Sequence, residues 1–239
     1  MIRVLNVISD TNIGGAGRVI LNYLRYADRE RFETWVAVPE GSALIQPLEE
    51  AGARVIPVAG MADRSYHRED VRTLEQLIRR EEPDLVHTHG SLSGRIAARR
   101  CGKKVIYTRH SVFPVSAKLR YPPGRWVNKW VNEHYADRII AVSPAAAENL
   151  TDAGVSPRRV TVVMNGAAPV ERSSPEICRA FRGKYGLQEG VFTAGILARM
   201  EPYKGHSDIL SAARQLKREG RRFQILIAGT GSCEEQLRR

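Results

Sequence analysis

The stretch Leu85-Val-His-Thr-His-Gly-Ser-Leu-Ser-Gly-Arg-Ile-Ala-Ala-Arg-Arg-Cys-Gly-Lys-Lys-Val-Ile-Tyr-Thr-Arg-His110 holds the architecture in miniature. A short apolar run at Leu85–Thr88 leads into a helical pattern at Leu92–Arg100, and a second run follows at Val105–Thr108. Runs this short and continuous suit strands of a parallel sheet with helices on both faces. The rhythm extends both ways. Strands are predicted at Arg3–Ser9, Thr34–Val38, Val55–Val58, Arg138–Val142 and Val160–Met164. Helices are predicted at Ala16–Ala27, Ala43–Ala51, Glu69–Glu81, Arg125–His134 and Ala145–Ala153. Such alternation predicts an α/β fold built on a doubly wound, Rossmann-like parallel sheet.

The turn formers of Asn165–Pro175 interrupt the rhythm and read as a linker. Alternation resumes with a helix at Pro175–Tyr185, a strand at Val191–Leu197, a helix at His206–Glu219, a strand at Phe223–Ala228 and a helical start at Glu234. The expected domains are 1–168 and 169–239. The second is expected to be incomplete, because about 70 residues fall short of an ordinary doubly wound domain and the helical pattern runs to Arg239 without a stop signal.

Of the 239 residues, 43% are hydrophobic and 26% charged, the balance of a folded chain rather than a disordered one. The three cysteines, Cys101, Cys178 and Cys233, are far apart and form no C-x-x-C pair, which argues against a disulfide framework or zinc site and for a reducing, cytoplasmic setting. No apolar run approaches the ~18 residues of a membrane span. The net charge of +11 points to an anionic partner. Nucleic acid is disfavoured, since the positive residues are dispersed and no basic run is interleaved with stacking aromatics.

Ligands of open α/β sheets bind beyond the carboxyl ends of the strands, so the residues there are the candidates. After the first strand, Gly14, Gly15 and Gly17 open a loop whose helix N-terminus can face an anion. Their spacing departs from G-x-G-x-x-G, which weakens a dinucleotide reading, although Glu40 occupies the position of a ribose-binding acid. His87 and His89 share one side of their strand, but no third ligand lies nearby in sequence, so a metal is not expected. His87 reads as a satisfied, partly buried side chain. His110, just past a strand end, is a candidate to hydrogen-bond a polar substrate. In the second domain Arg199 and Lys204 sit between a strand and a helix, where both could converge on one anion. Ala228-Gly-Thr-Gly231 is a second glycine-rich strand end. The helix Arg125–His134 carries Trp126 and Trp130, with Lys118, Arg120 and Tyr121 upstream. It reads either as a basic, aromatic surface for anionic lipid or, slightly favoured, as a helix burying its tryptophans against the sheet.

Together, Gly14-Gly-Ala-Gly17, Val86-His-Thr-His89, Thr108-Arg-His110, Ala136-Asp-Arg-Ile-Ile-Ala-Val-Ser143, Val163-Met-Asn-Gly166 and Arg199-x4-Lys204-Gly205 resemble the retaining glycosyltransferases of family 4, in order along the chain. The resemblance implies a GT-B fold, with an acceptor-side N-terminal domain and a donor-binding C-terminal one. It implies catalytic roles for Arg199 and Lys204 on the donor diphosphate and for His110 near the donor sugar. Gly14, Gly15, His89, Asn165, Gly166, Gly205 and Gly229 would border donor or acceptor. It implies no metal and no cofactor beyond a nucleotide-diphosphate sugar, and a glycan or lipid-linked acceptor of cell-envelope polysaccharide synthesis, met at the inner face of the membrane. The family's E-x7-E element would lie past Arg239. The alternatives are a nucleotide-sugar epimerase of the same fold and a noncatalytic fragment.

Overall fold

The structure, a computed structural model, describes residues 1–112 and 114–238. The expected end of the last helix, Arg239, lies outside them. The chain divides into two compact units, Met1–Ala168 and Pro169–Arg239.

In the first unit the strands are β1 (Ile2–Ile8), β2 (Phe32–Pro39), β3 (Arg54–Val58), β4 (Leu85–His89), β5 (Lys104–Arg109), β6 (Arg138–Ala141) and β7 (Val160–Val162). The helices are α1 (Gly15–Tyr26), α2 (Ile45–Glu50), α3 (Arg68–Glu81), α4 (Leu92–Arg100), α5 (Ala117–Arg120), α6 (Gly124–His134) and α7 (Pro144–Asp152). All strands are parallel in the order β3-β2-β1-β4-β5-β6-β7, so the winding reverses between β1 and β4. This is the Rossmann-like sheet expected from the sequence. The fold departs from that expectation in small ways: β7 stops at Val162 rather than Met164, and the four-residue α5 carries too short a period to be read.

Strand alternation builds a separate core on each face. Leu5, Val7, Trp35 and Ala37 face α3, α4 and α7 and join Leu74, Ile78 and Ala98. Ile8, Val36 and Val38 face the other way and pack with Ile20 and Leu24 of α1, Leu44 of the loop after β2 and Leu48 of α2. Two N-caps set helix starts where the sequence places serine: Ser91 Oγ accepts from Gly94 N at 3.0 Å, and Ser143 Oγ from Ala146 N at 3.1 Å.

The second unit has a two-stranded parallel sheet, β8 (Phe192–Leu197) with β9 (Phe223–Ala228), and helices α8 (Pro175–Lys184), α9 (His206–Arg218) and α10 (Glu234–Arg238). Among its described residues only Met200 and His206 are buried.

Candidate functional site

Four polar residues of strands β1, β4 and β5 gather on the α1 side of the sheet. Asn6 lies opposite His87 in the β1–β4 register, and His87 lies opposite Ile106 on β5. Alternation therefore points Asn6, His87, His89 and Thr108 to one face. They form the floor of a cavity of about 470 Å³, walled by Tyr23 and Tyr26 of α1 and by the segment Val163–Ala167. Asn165 and Gly166 belong to that wall, and Asn22 Nδ2 of α1 donates to the Gly166 carbonyl at 3.0 Å.

Three imidazoles lie in a row. The ring centres of His87 and His89 are 4.4 Å apart, and those of His89 and His110 are 5.1 Å apart in a stacked arrangement. His87 Nε2 is 2.7 Å from Thr108 Oγ1. His89 Nε2 is 3.1 Å from Asn6 Oδ1, and His89 Nδ1 is 2.9 Å from His110 Nε2. Burial holds His87 and His110 down at about 4 and pushes His89 well below its ordinary value, so all three are neutral at pH 7.

Neutrality fixes the protons along this chain. Asn6 Nδ2 donates to the Trp35 carbonyl, which leaves Oδ1 facing His89. An amide oxygen only accepts, so His89 carries its proton on Nε2 and presents a bare Nδ1. His110 must then donate from Nε2, and its Nδ1 is a bare acceptor. That Nδ1 is buried and has no hydrogen-bond partner. An unpaired buried acceptor is costly, and a ligand hydroxyl would satisfy it.

The glycines after β1 divide by role. A Cβ on Gly17 would come within 2.5 Å of Leu44 Cδ2, so this glycine lets α1 pack on Leu44. Gly14, the N-cap of α1, has Asp10 Oδ2 3.1 Å from where its Cβ would be, and Gly15 has nothing within 4 Å. Gly17→Ala is expected to lower the melting temperature while Gly15→Ala leaves it unchanged, measured side by side by calorimetry. Any loss of ligand binding in Gly15→Ala then reports on the ligand and not on the fold.

In the second unit the ends of β8 and β9 run on together. Met200 N donates to Thr230 O at 2.9 Å, and Cys233 N to Met200 O at 2.9 Å. Gly229 is required by this zipper, because a Cβ there would sit 2.0 Å from the Ala198 carbonyl oxygen. Arg199 and Lys204 meet at Tyr203: Arg199 Nη2 donates to its hydroxyl at 3.0 Å, and Lys204 Nζ lies 5.3 Å from its ring centre. Both cations are exposed, and among the described residues neither forms an ion pair. Gly205, left-handed at φ 77°, turns the chain from Lys204 into α9. His206, the next residue, is buried with both ring nitrogens unpaired.

The structure thus brings His89, His110, Asn165 and Gly166 into one neighbourhood, and Arg199, Lys204, Gly205 and Gly229 into another. Sequence reasoning missed Asn6, Thr108, Tyr23 and Tyr26. Asn6 had a legible signal, a lone amide inside Val4-Leu-Asn-Val-Ile8. Among the described residues, no three His, Cys, Asp or Glu side chains cluster as metal ligands, and no helix is long and apolar enough to cross a membrane.

The chain is similar to proteins of known class. The putative glycosyltransferase EpsD of Bacillus subtilis is 28% identical over 177 residues, covering 68% of this chain and 45% of its own. The UDP-Gal:alpha-D-GlcNAc-diphosphoundecaprenol alpha-1,3-galactosyltransferase of Escherichia coli is 26% identical, covering 85% of this chain and 55% of its own. The chain therefore spans about half the length of these curated relatives. Among solved structures, Anabaena Alr3699/HepE, crystallised with UDP and glucose, superposes with a TM-score of 0.78 at 19% identity, covering 99% of this chain and 63% of its own. That likeness establishes the GT-B fold. The profile of Glycosyltransferase Family 4 matches residues 13–169, and the chain belongs to that family.

Proposed function

We infer that the chain serves a retaining glycosyltransferase that moves a sugar from a nucleotide-diphosphate donor to a glycan or lipid-linked acceptor. The observation that carries this reading is the convergence of the unpaired cations Arg199 and Lys204 on Tyr203, at a strand end beside the glycine-turned start of α9. A fork and a point charge suit a diphosphate, and they stabilise the charge that develops as the nucleotide leaves. The E. coli relative, whose name gives a UDP-sugar and a diphosphoundecaprenol-linked acceptor, supports the same class of substrates.

In the proposed step the bond from the anomeric carbon to the diphosphate oxygen breaks, and a bond to the acceptor hydroxyl oxygen forms on the same face. The acceptor proton passes to the departing diphosphate, so no side chain is assigned as general base. His110 accepts a hydrogen bond from a donor-sugar hydroxyl through its bare Nδ1, and Asn165, Gly166 and Gly15 border the substrates. Neither a metal nor a further cofactor enters the proposal, and the reaction is placed on the cytoplasmic side.

The test follows radiolabelled UDP-sugars with polyprenyl-diphosphate-linked acceptors, with NMR of the product anomer. A product of retained configuration is expected. Lys204→Ala should reduce transfer by about a hundredfold, roughly 3 kcal/mol of transition-state stabilisation, with an unchanged melting curve. Near-normal transfer in that variant removes the diphosphate assignment. A changed sugar nucleotide formed without acceptor identifies an epimerase instead, and UDP binding without turnover identifies a binding fragment.

A further inference from the structure

The second α6 reading expected from the sequence, tryptophans buried against the sheet, is overturned: the helix is mounted inside out. Trp126, Val127 and Trp130 are 66%, 59% and 55% exposed. The polar residues face the protein instead. Arg125 Nη1 donates to the Asp152 carbonyl at 2.6 Å, and Asn128 Nδ2 to the Ala153 carbonyl at 2.8 Å. The buried Asn132 accepts from the buried Arg95 at 3.0 Å, and the Arg95 guanidinium lies 4.2 Å from the centre of the Tyr107 ring. At about 100° per residue, positions 125, 128 and 132 form one stripe and 126, 127 and 130 the opposite one. These internal bonds lock the rotation of the helix, so its apolar face stays outward.

The segment leading into α6 is also apolar and exposed, at Tyr121, Val112 and Leu119. A Cβ on Gly124 would collide with the Lys118 carbonyl oxygen, so the glycine lets α5 lie directly against the start of α6. Residues 111–132 include Lys118, Arg120, Arg125 and Lys129 and not one Asp or Glu. Lys118, Arg120 and Lys129 are exposed and make no ion pair among the described residues.

We propose that α5 and α6 form a docking surface for an anionic lipid bilayer, with Trp126, Val127 and Trp130 entering the interfacial region and Lys118, Arg120 and Lys129 meeting the headgroups. Tryptophan favours that interface because one end of its ring system is apolar and the other carries an N–H donor. An amphipathic surface with flanking cations binds through both apolar burial and charge. A second copy of the chain fits poorly, since a two-fold contact would set the same unpaired cations against one another. The inference rests on this helix and not on the transferase reading.

The test is co-sedimentation of the chain with vesicles of phosphatidylcholine alone or mixed with phosphatidylglycerol, together with tryptophan emission. Binding to the anionic vesicles with a blue shift is expected, weakening as salt is raised. Trp35, the remaining tryptophan, is buried and supplies a constant background. Each cation near an anionic leaflet is worth about fivefold in affinity, so the triple variant Lys118→Gln, Arg120→Gln, Lys129→Gln should bind about a hundredfold more weakly. Trp126→Ala with Trp130→Ala should lose the blue shift and most binding, with circular dichroism reporting the fold. If either variant misfolds, salt titration of the unaltered chain decides. Equal or absent binding to the two vesicle types overturns the proposal. So does a dimer that only the tryptophan variant dissolves, or binding to an oligonucleotide with none to vesicles.

Discussion

Acidifying a solution of this protein from pH 7 to pH 4.5 will destabilise the first unit by several kcal/mol, most of it through the histidine row. The sign follows from where the protons bind. His87 and His110 sit at about 4 in the folded protein and His89 lies well below its ordinary value, against about 6.5 in an unfolded chain. Between those limits the unfolded state binds more protons, so stability falls as pH falls and is fully present above about 6.5. His110 alone, displaced from about 6.5 to about 4 by burial, corresponds to roughly 3 kcal/mol at the acid end. His87 and His89 act in the same direction, and because a charge on one ring lowers its neighbours further, the row titrates as a coupled unit whose loss exceeds that of His110 alone. Carboxylates add little in this window. Glu75, Glu81 and Asp84 are held low chiefly by arginine hydrogen bonds; at Asp137 burial pushes upward, and the Val105 amide together with Arg99 outweighs it. Their contribution is lost only below about pH 4.5. Urea unfolding at half-unit pH steps measures the effect, and His110→Gln should flatten the slope between pH 6.5 and 4. A pH-independent midpoint over that range would show that the rings titrate normally and are not buried in the neutral form.

The same residues offer a spectroscopic check. Long-range nitrogen–proton correlation spectra should show His89 and His110 both as Nε2–H tautomers, and Asn6→Ala should mix the forms by removing the acceptor that anchors the row. A proton on His110 Nδ1 would mean that the Asn6 amide is turned round. It would also remove the acceptor offered to the donor sugar.

Much of this arrangement was legible in the sequence. Val/Ile/Leu runs such as Val86 and Val105–Ile106 mark strands covered on both faces, and serines at 91 and 143 mark helix starts. His87 and His89 were placed on one side of their strand by the two-residue period alone. What the period does not contain is the identity of the neighbour across the sheet. Asn6 and Thr108 meet the histidines through register between strands far apart in sequence, so the relay appears only in the fold. The α6 helix makes the same point more sharply. Spacing shows that Trp126 and Trp130 share a stripe, but not which way the stripe points. That was decided by Arg95, Asn128 and Asn132, whose buried hydrogen bonds outweigh the apolar area left in water.

Limited trypsin digestion is expected to leave a resistant fragment ending near Arg172 while the remainder of the chain disappears. The first unit buries whole side chains such as Leu5, Ile8, Leu44, Leu74 and Ile139, each contributing about 1.5–3 kcal/mol. The second unit buries only Met200 and His206 among its described residues, and leaves Leu197 81%, Phe192 70% and Ile177 61% exposed. Its two strands expose both sheet edges, and a pair of strands is marginal in water without further cover. Ordering each residue costs about 1–2 kcal/mol of backbone entropy, and the burial available in this unit does little to offset it. Local opening is therefore far more frequent after Ala168 than before it, and cleavage that follows the open population should run on the order of a hundredfold faster there. Arg172, in the exposed segment before α8, is the first trypsin site beyond the protected unit. Calorimetry should resolve two transitions, with the lower one missing from the purified fragment. Uniform resistance along the chain with a single transition would show that unit two draws stability from a source other than its own core.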